Sequence, residues 1–304
     1  MIIRILFVAS YNKHCFAPFI IEQAEALQRE GCDVEFYGVE GKGLSGYLKA
    51  LPALRKKIKW YRPDVVHAHY GLCGLLAGLQ RRVPVVTTYH GSDINLKSVR
   101  PFSKLAMALS AFNVFVSKRT LDLASPRKKY ALLPCGIDLS DEQQTAKDDA
   151  RRLMGLSSDR RYVLFAGAFD NVVKNYPLAQ SAMALVPGVD LLELKGYTRS
   201  QVTLLMCAAD VFLMTSLSEG SPQVIKEAMA CGLPIVSVDV GDVAEVTDGI
   251  DGCSICRRDP EAIADAIKEA MSYGRTNGRC RIIEKGLDNN IVATRLLSVY
   301  KEII

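Results

Sequence analysis

Two glutamates, Glu219 and Glu227, stand eight positions apart in "EGSPQVIKEAMACGLPIV" (219–236). Between them, Gly220, Ser221, Pro222 and Gln223 form a helix-opening pattern. Ser221 is expected to cap, and Pro222 to take the first helical position. The helix is expected to run to Ala230 and stop at Gly232. The first amides of a helix lack partners within it and carry the positive end of its dipole. That makes an anion site with phosphate as its natural occupant, and Gly220 and Ser221 leave the approach open. The carboxylates suit a different chemistry. Glu219 could accept hydrogen bonds from hydroxyls, and Glu227, almost two turns on, could hold the vicinal diol of a ribose. A solvated Glu227 and a dipole-favoured Glu219 explain the same spacing, so these residues alone leave both readings open.

The elements that must position them follow from the pattern around them. "DVFLMTS" before Glu219 is a short apolar run bounded by turn residues, which predicts a buried strand. Similar runs recur along the whole chain: "RILFVAS", "DVEFYGV", "DVVHAH", "PVVTTYH", "NVFVS" and "YALLP", then "YVLFAGAF", "VDLLELKG", "PIVSVDV" and "GCSIC". Helical spacing lies between them, as in 17–31, 44–61, 199–208 and 260–274. Apolar strands alternating with helices imply parallel sheets covered on both faces. Residues 140–160 are polar and predict no strand, which places a domain junction there, with "DDA" (148–150) as a solvated charge run. The expected architecture is α/β: two Rossmann-like doubly wound domains, 1–143 and 150–288, facing across a cleft. Ligands in such sheets bind beyond the carboxyl ends of the strands.

Composition agrees with a globular chain: of 304 residues, 49% are apolar and 23% charged. No apolar stretch reaches the roughly 18 to 20 residues that span a bilayer. "MIIRILFVAS" reads as a first buried strand and not as a signal peptide, so the protein is expected in the cytoplasm. Nine scattered cysteines then argue for free thiols. "CSIC" (253–256) has no second pair with which to build a zinc site. The net charge of +5 divides into +7 over residues 1–150 and −2 over 151–304. The basic excess includes the segment 49–62, whose Leu51, Leu54, Ile58, Trp60 and Tyr61 among lysines and arginines fit either an interfacial helix or an ordinary covering one. His67 and His69 are expected on opposite faces of their strand, as scaffold. No Asp-x-Asp pair stands where a metal-bound donor would need one.

"SEGSPQVIKEAMACGLPIVSVDVGDVAEVTDG" closely resembles the donor-site signature of family 4 glycosyltransferases, retaining enzymes of the two-lobed GT-B fold. The likeness extends to "VLFAGAFDNVVKNYPLA" and "AADVFLMTS", and more weakly to "RPDVVHAHYG", "VVTTYHGSDIN" and "LLPCGIDLS". The resemblance implies that Glu219 contacts the transferred sugar, that Glu227 holds the nucleotide ribose, and that Gly220, Ser221, Pro222 and Gln223 receive the diphosphate. Lys174 looks like the family lysine that neutralises it, and Gly196 lies in the loop "LKGYT" that meets the base. His90 resembles the histidine near the reacting carbon, with Asp93 orienting it or binding acceptor. The arginine usual near Gly167 is missing, and Arg4, Lys13 or an arginine of the opposite lobe are candidates to replace it. A paired-glycine loop is also missing at 10–19.

The implied activity moves a sugar from a nucleoside-diphosphate sugar, a UDP-sugar first, to a hydroxyl of a saccharide or lipid-linked saccharide in surface polysaccharide synthesis. It would use front-face displacement with retention and no metal or other cofactor. The final helix, 289–304, is expected to pack back on the first domain, whose basic face is a candidate for peripheral membrane contact. A nucleotide-sugar epimerase or hydrolase of the same fold and a non-enzymatic two-lobed binding protein are the alternatives. Nucleic acid is not an expected partner.

Overall fold

The computed structural model describes residues 2–139 and 141–304; Ser140, the first residue of the expected junction, lies outside them. The chain divides into two compact units. One holds the residues through Asp138 together with Leu287–Ile304, and the other holds Leu139–Gly286.

The first unit is built on a six-stranded sheet: β1 (Arg4–Ser10), β2 (Asp33–Val39), β3 (Val65–His69), β4 (Val85–Tyr89), β5 (Phe112–Phe115) and β6 (Tyr130–Leu132). Its order is β2-β1-β3-β4-β5-β6, and every pair is parallel. Residues 5 to 9 of β1 are fully buried, and their alternation feeds two cores. Ile5, Phe7 and Ala9 pack against the helix Pro18–Arg29 and the closing helix Asn289–Ile303. Leu6 and Val8 pack on the other face, where Leu54, Ile58 and Leu76 lie. The closing helix buries Val292, Leu296 and Tyr300 in the same core as Phe7. The expected single helix 44–61 is instead two, Gly43–Lys49 and Leu51–Tyr61, meeting at Ala50. Pro52 explains the break, since it lacks the N–H that would continue the helix and fits only a first turn.

The second unit carries β7 (Arg161–Phe165), β8 (Val189–Leu192), β9 (Val211–Met214), β10 (Ile235–Val238) and β11 (Ser254–Cys256). Their order is β11-β10-β9-β7-β8, again parallel throughout. The polar stretch expected as a linker is part of this unit. Its helix, Lys147–Met154, delivers Arg151 to Asp210 at the start of β9, with Nη2 2.9 Å from Oδ2. Lys147 and Arg161 also pair with Asp210, and the Tyr162 amide donates to Oδ2 at 2.7 Å. Asp148 and Asp149 of the expected charge run are exposed, Asp149 pairing with Arg152, whereas the uncharged Ala150 and the next residue, Arg151, are buried. All nine cysteines are free thiols, and burial pushes Cys253 up to about 11.

Candidate functional site

In a doubly wound sheet the crevice opens where successive crossovers leave one strand in opposite directions. In the second unit that strand is β7, flanked by β8 and β9. The segment after β7 and the segment after β9 are tied together there. Leu217 donates its amide to the Val173 carbonyl at 2.8 Å. Thr215 Oγ1 lies 2.9 Å from the Lys174 carbonyl oxygen and 3.0 Å from that of Asn175. A short 3-10 turn, Val172–Lys174, is started by the Asn171 side chain and ended by Asn175 in the left-handed region. It aims Lys174 back across Gly167, where any Cβ would come within 2.8 Å of the lysine stem. Lys174 Nζ ends 2.7 Å from Glu219 Oε1, with both side chains largely buried.

The next element is the helix Gln223–Ala230, preceded by Pro222 as its N-cap at φ −70° and ψ 117°. Pro222 therefore precedes the helix instead of opening it. Ser221 makes no capping bond either, because its Oγ accepts from Lys226 Nζ at 2.8 Å. Gln223 Oε1 accepts from the same ammonium at 3.1 Å. Gly220 lies against Gly241, where a Cβ would meet the Gly220 carbonyl oxygen at 2.7 Å. The helix ends as expected, with Gly232 at φ +63°.

Glu227 is not the solvated residue that its spacing equally allowed. Its side chain is 17% exposed, and Oε1 lies 3.3 Å from Arg199 Nη2. Burial pushes its carboxyl above the ordinary 4.5, while Arg199 and Lys226 pull the other way. Arg199 opens the helix Arg199–Ala208, whose capping box is formed by Thr198 and Gln201. Gly196, exposed at φ +80°, lies in the loop just before that cap. The structure thus gathers Lys174, Glu219 and residues 220–223 around one loop, and joins Glu227 to the start of the helix that follows Gly196.

His90 and Asp93 belong to the first unit. Asp93 is buried and accepts from the amides of His90 (3.1 Å), Gly91 (2.9 Å) and Gly71 (3.0 Å). Burial lifts its carboxyl to about 6 against the pull of those amides. It positions His90 through the backbone and not through the ring. The ring lies among Tyr70, Phe19 and His69, with centroids at 4.5, 4.9 and 5.3 Å. His67 and His69 share one face of β3, with their rings stacked at 4.6 Å. That corrects the expectation: residues two apart in a strand point the same way, and only adjacent ones alternate. Both are fully buried, and burial holds His67 down at about 3. Tyr300 Oη and Thr88 Oγ1 lie 2.5 and 2.7 Å from the two ring nitrogens of His67.

A cavity of about 590 Å³ opens within this unit, beyond the carboxyl ends of β1, β3 and β4. Phe16, Tyr47 and Tyr70 give it aromatic walls, and Asn12, Lys13 and Asp93 line it with polar groups. It lies at the switch point of the first sheet, where β1 is flanked by β2 and β3. Tyr70 holds φ +72° and ψ 152°, a region that side chains rarely tolerate and that collects at ligand sites. Arg4 drops out as a diphosphate ligand. It begins β1, pairs with Asp33 at 3.3 Å and stacks over Tyr61, at the edge opposite the strand ends that line the cavity.

Sequence reasoning missed Lys226, Asp242, Arg199 and Tyr70. Only Lys226 carried a visible signal, a lysine amid Ile225, Ala228 and Met229. Among the described residues no three His, Cys, Asp or Glu side chains are grouped to hold a metal ion, and no helix is long and apolar enough to cross a membrane.

Comparison with known proteins follows the same division. Residues 17–141 match the model of Glycosyltransferase Family 4, and residues 164–272 match that of Glycosyl transferases group 1. TuaC of Bacillus subtilis, named for teichuronic acid biosynthesis as a glycosyltransferase, is 27% identical over 67% of this chain and 60% of its own length. The chain thus spans about three fifths of that relative. An Escherichia coli UDP-Gal:alpha-D-GlcNAc-diphosphoundecaprenol alpha-1,3-galactosyltransferase is 25% identical over 81% of this chain and 75% of its own. Sucrose-phosphate synthase of Thermosynechococcus elongatus shares the fold, with a TM-score of 0.85 at 18% identity over 99% of this chain and 98% of its own. With both matched regions and the GT-B fold in hand, the chain belongs to the family 4 glycosyltransferases.

Proposed function

We propose that this protein is a retaining glycosyltransferase that moves a sugar from a nucleoside-diphosphate sugar to a hydroxyl of a saccharide or lipid-linked saccharide. The observation that carries the reading is the Lys174–Glu219 pair, 2.7 Å apart at the switch point of the second sheet, beside the start of the helix Gln223–Ala230. A diphosphate there would draw Lys174 and the first helix amides, and Glu219 would turn to the hydroxyls of the transferred sugar. Glu227 would hold the ribose. The galactosyltransferase relative is named for a UDP-sugar donor and a diphosphoundecaprenol-linked acceptor, which supports the same two classes here. The aromatic cavity of the first unit, with Lys13 on its wall, suits the acceptor, and His90 is its neighbour in sequence through Ser92 and Asp93.

In this mechanism the leaving diphosphate takes the proton of the acceptor hydroxyl on the face from which it departs, so configuration is retained. Lys174 and the amides of Gly220, Ser221 and Gln223 stabilise the charge that grows on the diphosphate as the sugar–oxygen bond breaks, without moving in the step. A cytoplasmic place is part of the reading. So is peripheral membrane contact through the exposed Trp60 and its basic neighbours, since a lipid-linked acceptor lies at a membrane surface. Titration calorimetry with UDP, GDP and ADP tests the donor site. One of them should bind to the intact chain and bind far more weakly to Lys174→Ala; no binding by any of the three would remove the reading.

A further inference from the structure

Lys226 is fully buried in the first turn of the helix Gln223–Ala230. A cation there is disfavoured twice, by loss of hydration and by the positive end of the helix dipole. Helical side chains lean toward the N-terminus, so Lys226 reaches back over the first turn to Ser221 Oγ (2.8 Å) and Gln223 Oε1 (3.1 Å). The compensating charge is Asp242, buried after β10, which is attracted by Lys226 and receives a hydrogen bond from Ser221. Ser221 therefore accepts from the lysine and donates to the aspartate, which leaves its backbone, and not its hydroxyl proton, for a ligand. Beside this triad, a Cβ on Gly241 would lie 2.7 Å from the Gly220 oxygen and 3.3 Å from Glu219 Cβ. The loop after β10 thus packs closely on the loop after β9, whose Ser221 holds the buried ammonium.

We infer that Lys226, with Asp242 as its counter-charge, is a positioning residue that fixes residues 220–223 to receive the second phosphate of the donor, and so sets the preference for a nucleoside diphosphate over a monophosphate. The inference rests on the donor reading above. Lys226 is too buried to touch the ligand itself; it acts through Ser221 and Gln223 and through its charge beneath their amides.

Lys226→Met removes the ammonium but strands Asp242, so the paired variant Lys226→Met/Asp242→Asn removes both charges and guards against simple unfolding. In the paired variant, hydrogen exchange of the Gly220, Ser221 and Gln223 amides should quicken by roughly tenfold or more while β7 and β9 keep their protection. The diphosphate among UDP, GDP and ADP that the unmodified chain binds should lose roughly tenfold in affinity, and its monophosphate about twofold or less. A folded variant with unchanged exchange at Gly220, Ser221 and Gln223, or with equal losses for diphosphate and monophosphate, overturns the role of Lys226 alone. Failure of all three diphosphates to bind the unmodified chain overturns the donor reading and this inference together.

Discussion

His69 Nδ1 lies 3.1 Å from His90 Nε2 in two stacked rings, and one of these nitrogens must donate. His69 is fully buried, and its Nε2 has no hydrogen-bond partner among the described residues. A proton there would be an orphaned donor, which costs more than an unmet lone pair. His69 therefore carries its proton on Nδ1 and gives it to His90, whose own proton sits on Nδ1, 3.6 Å from Cys135 Sγ. Burial, with His67 and His90 adding to it, holds His69 well below 6.5. Nitrogen-15 NMR of the histidine rings should show the Nδ1–H form of both residues at neutral pH, and a neutral His69 at pH 5. An Nε2–H signal from His69, or its titration near 6.5, would contradict the assignment.

Asp210 should be among the most sensitive positions for stability in the second unit. It is buried, which alone would raise its pKa. Hydrogen bonds from Lys147, the Tyr162 amide and Arg161 outweigh that and hold it below 3.8. Because the folded value is depressed, this stabilisation is complete above the unfolded value of 3.8 and fades as pH falls through the folded one. Asp210→Ala leaves Arg151 buried without its counter-ion, at a cost of about 3–5 kcal/mol. Chemical denaturation at pH 7 measures it. A loss under about 1 kcal/mol would mean that the network stabilises little.

Nucleotide binding should fail in acid earlier than an ordinary glutamate would dictate. Glu227 accepts from ribose hydroxyls only when ionised, and burial raises its pKa above 4.5. Affinity should therefore be full well above that raised value and fall as pH descends through it. Glu227→Gln should bind weakly, with this pH dependence gone. Titrations of both proteins across pH 4 to 8 give the comparison, and an acid limb that persists in Glu227→Gln would assign it to another group.

Much of this fold is readable in the alternation of apolar runs and helical spacing, because a strand buried on both faces has little choice of composition. The helix start after β9 likewise follows from local rules, whereas the E-x7-E spacing alone leaves the roles of its two glutamates open. Other features depend on residues distant in sequence. Asp210 is satisfied by three basic side chains from the segment expected to be a solvated linker and from β7. Lys226 is buried with Ser221 and Gln223 as its hydrogen-bond acceptors, and the charge that attracts it, Asp242, stands sixteen positions on in sequence. Tyr70 gives no sign in its type that its φ is positive.

Lys174 and Glu219 should separate kinetically. Lys174→Ala removes charge stabilisation from the leaving diphosphate, so kcat should fall by about 10²–10³. Glu219→Gln keeps the size of the side chain but loses its charge, and should lower kcat with little change in diphosphate affinity. Steady-state kinetics with binding measured separately distinguishes the two. Near-normal kcat in both variants would remove the pair from the chemistry.

The most direct measurement is a crystal structure with the preferred nucleoside diphosphate bound. The diphosphate should lie on the amides of Gly220, Ser221 and Gln223 with Lys174 turned toward it, and the ribose hydroxyls on Glu227. A nucleotide bound elsewhere, with Lys174 still held by Glu219 and Glu227 by Arg199, would contradict the account.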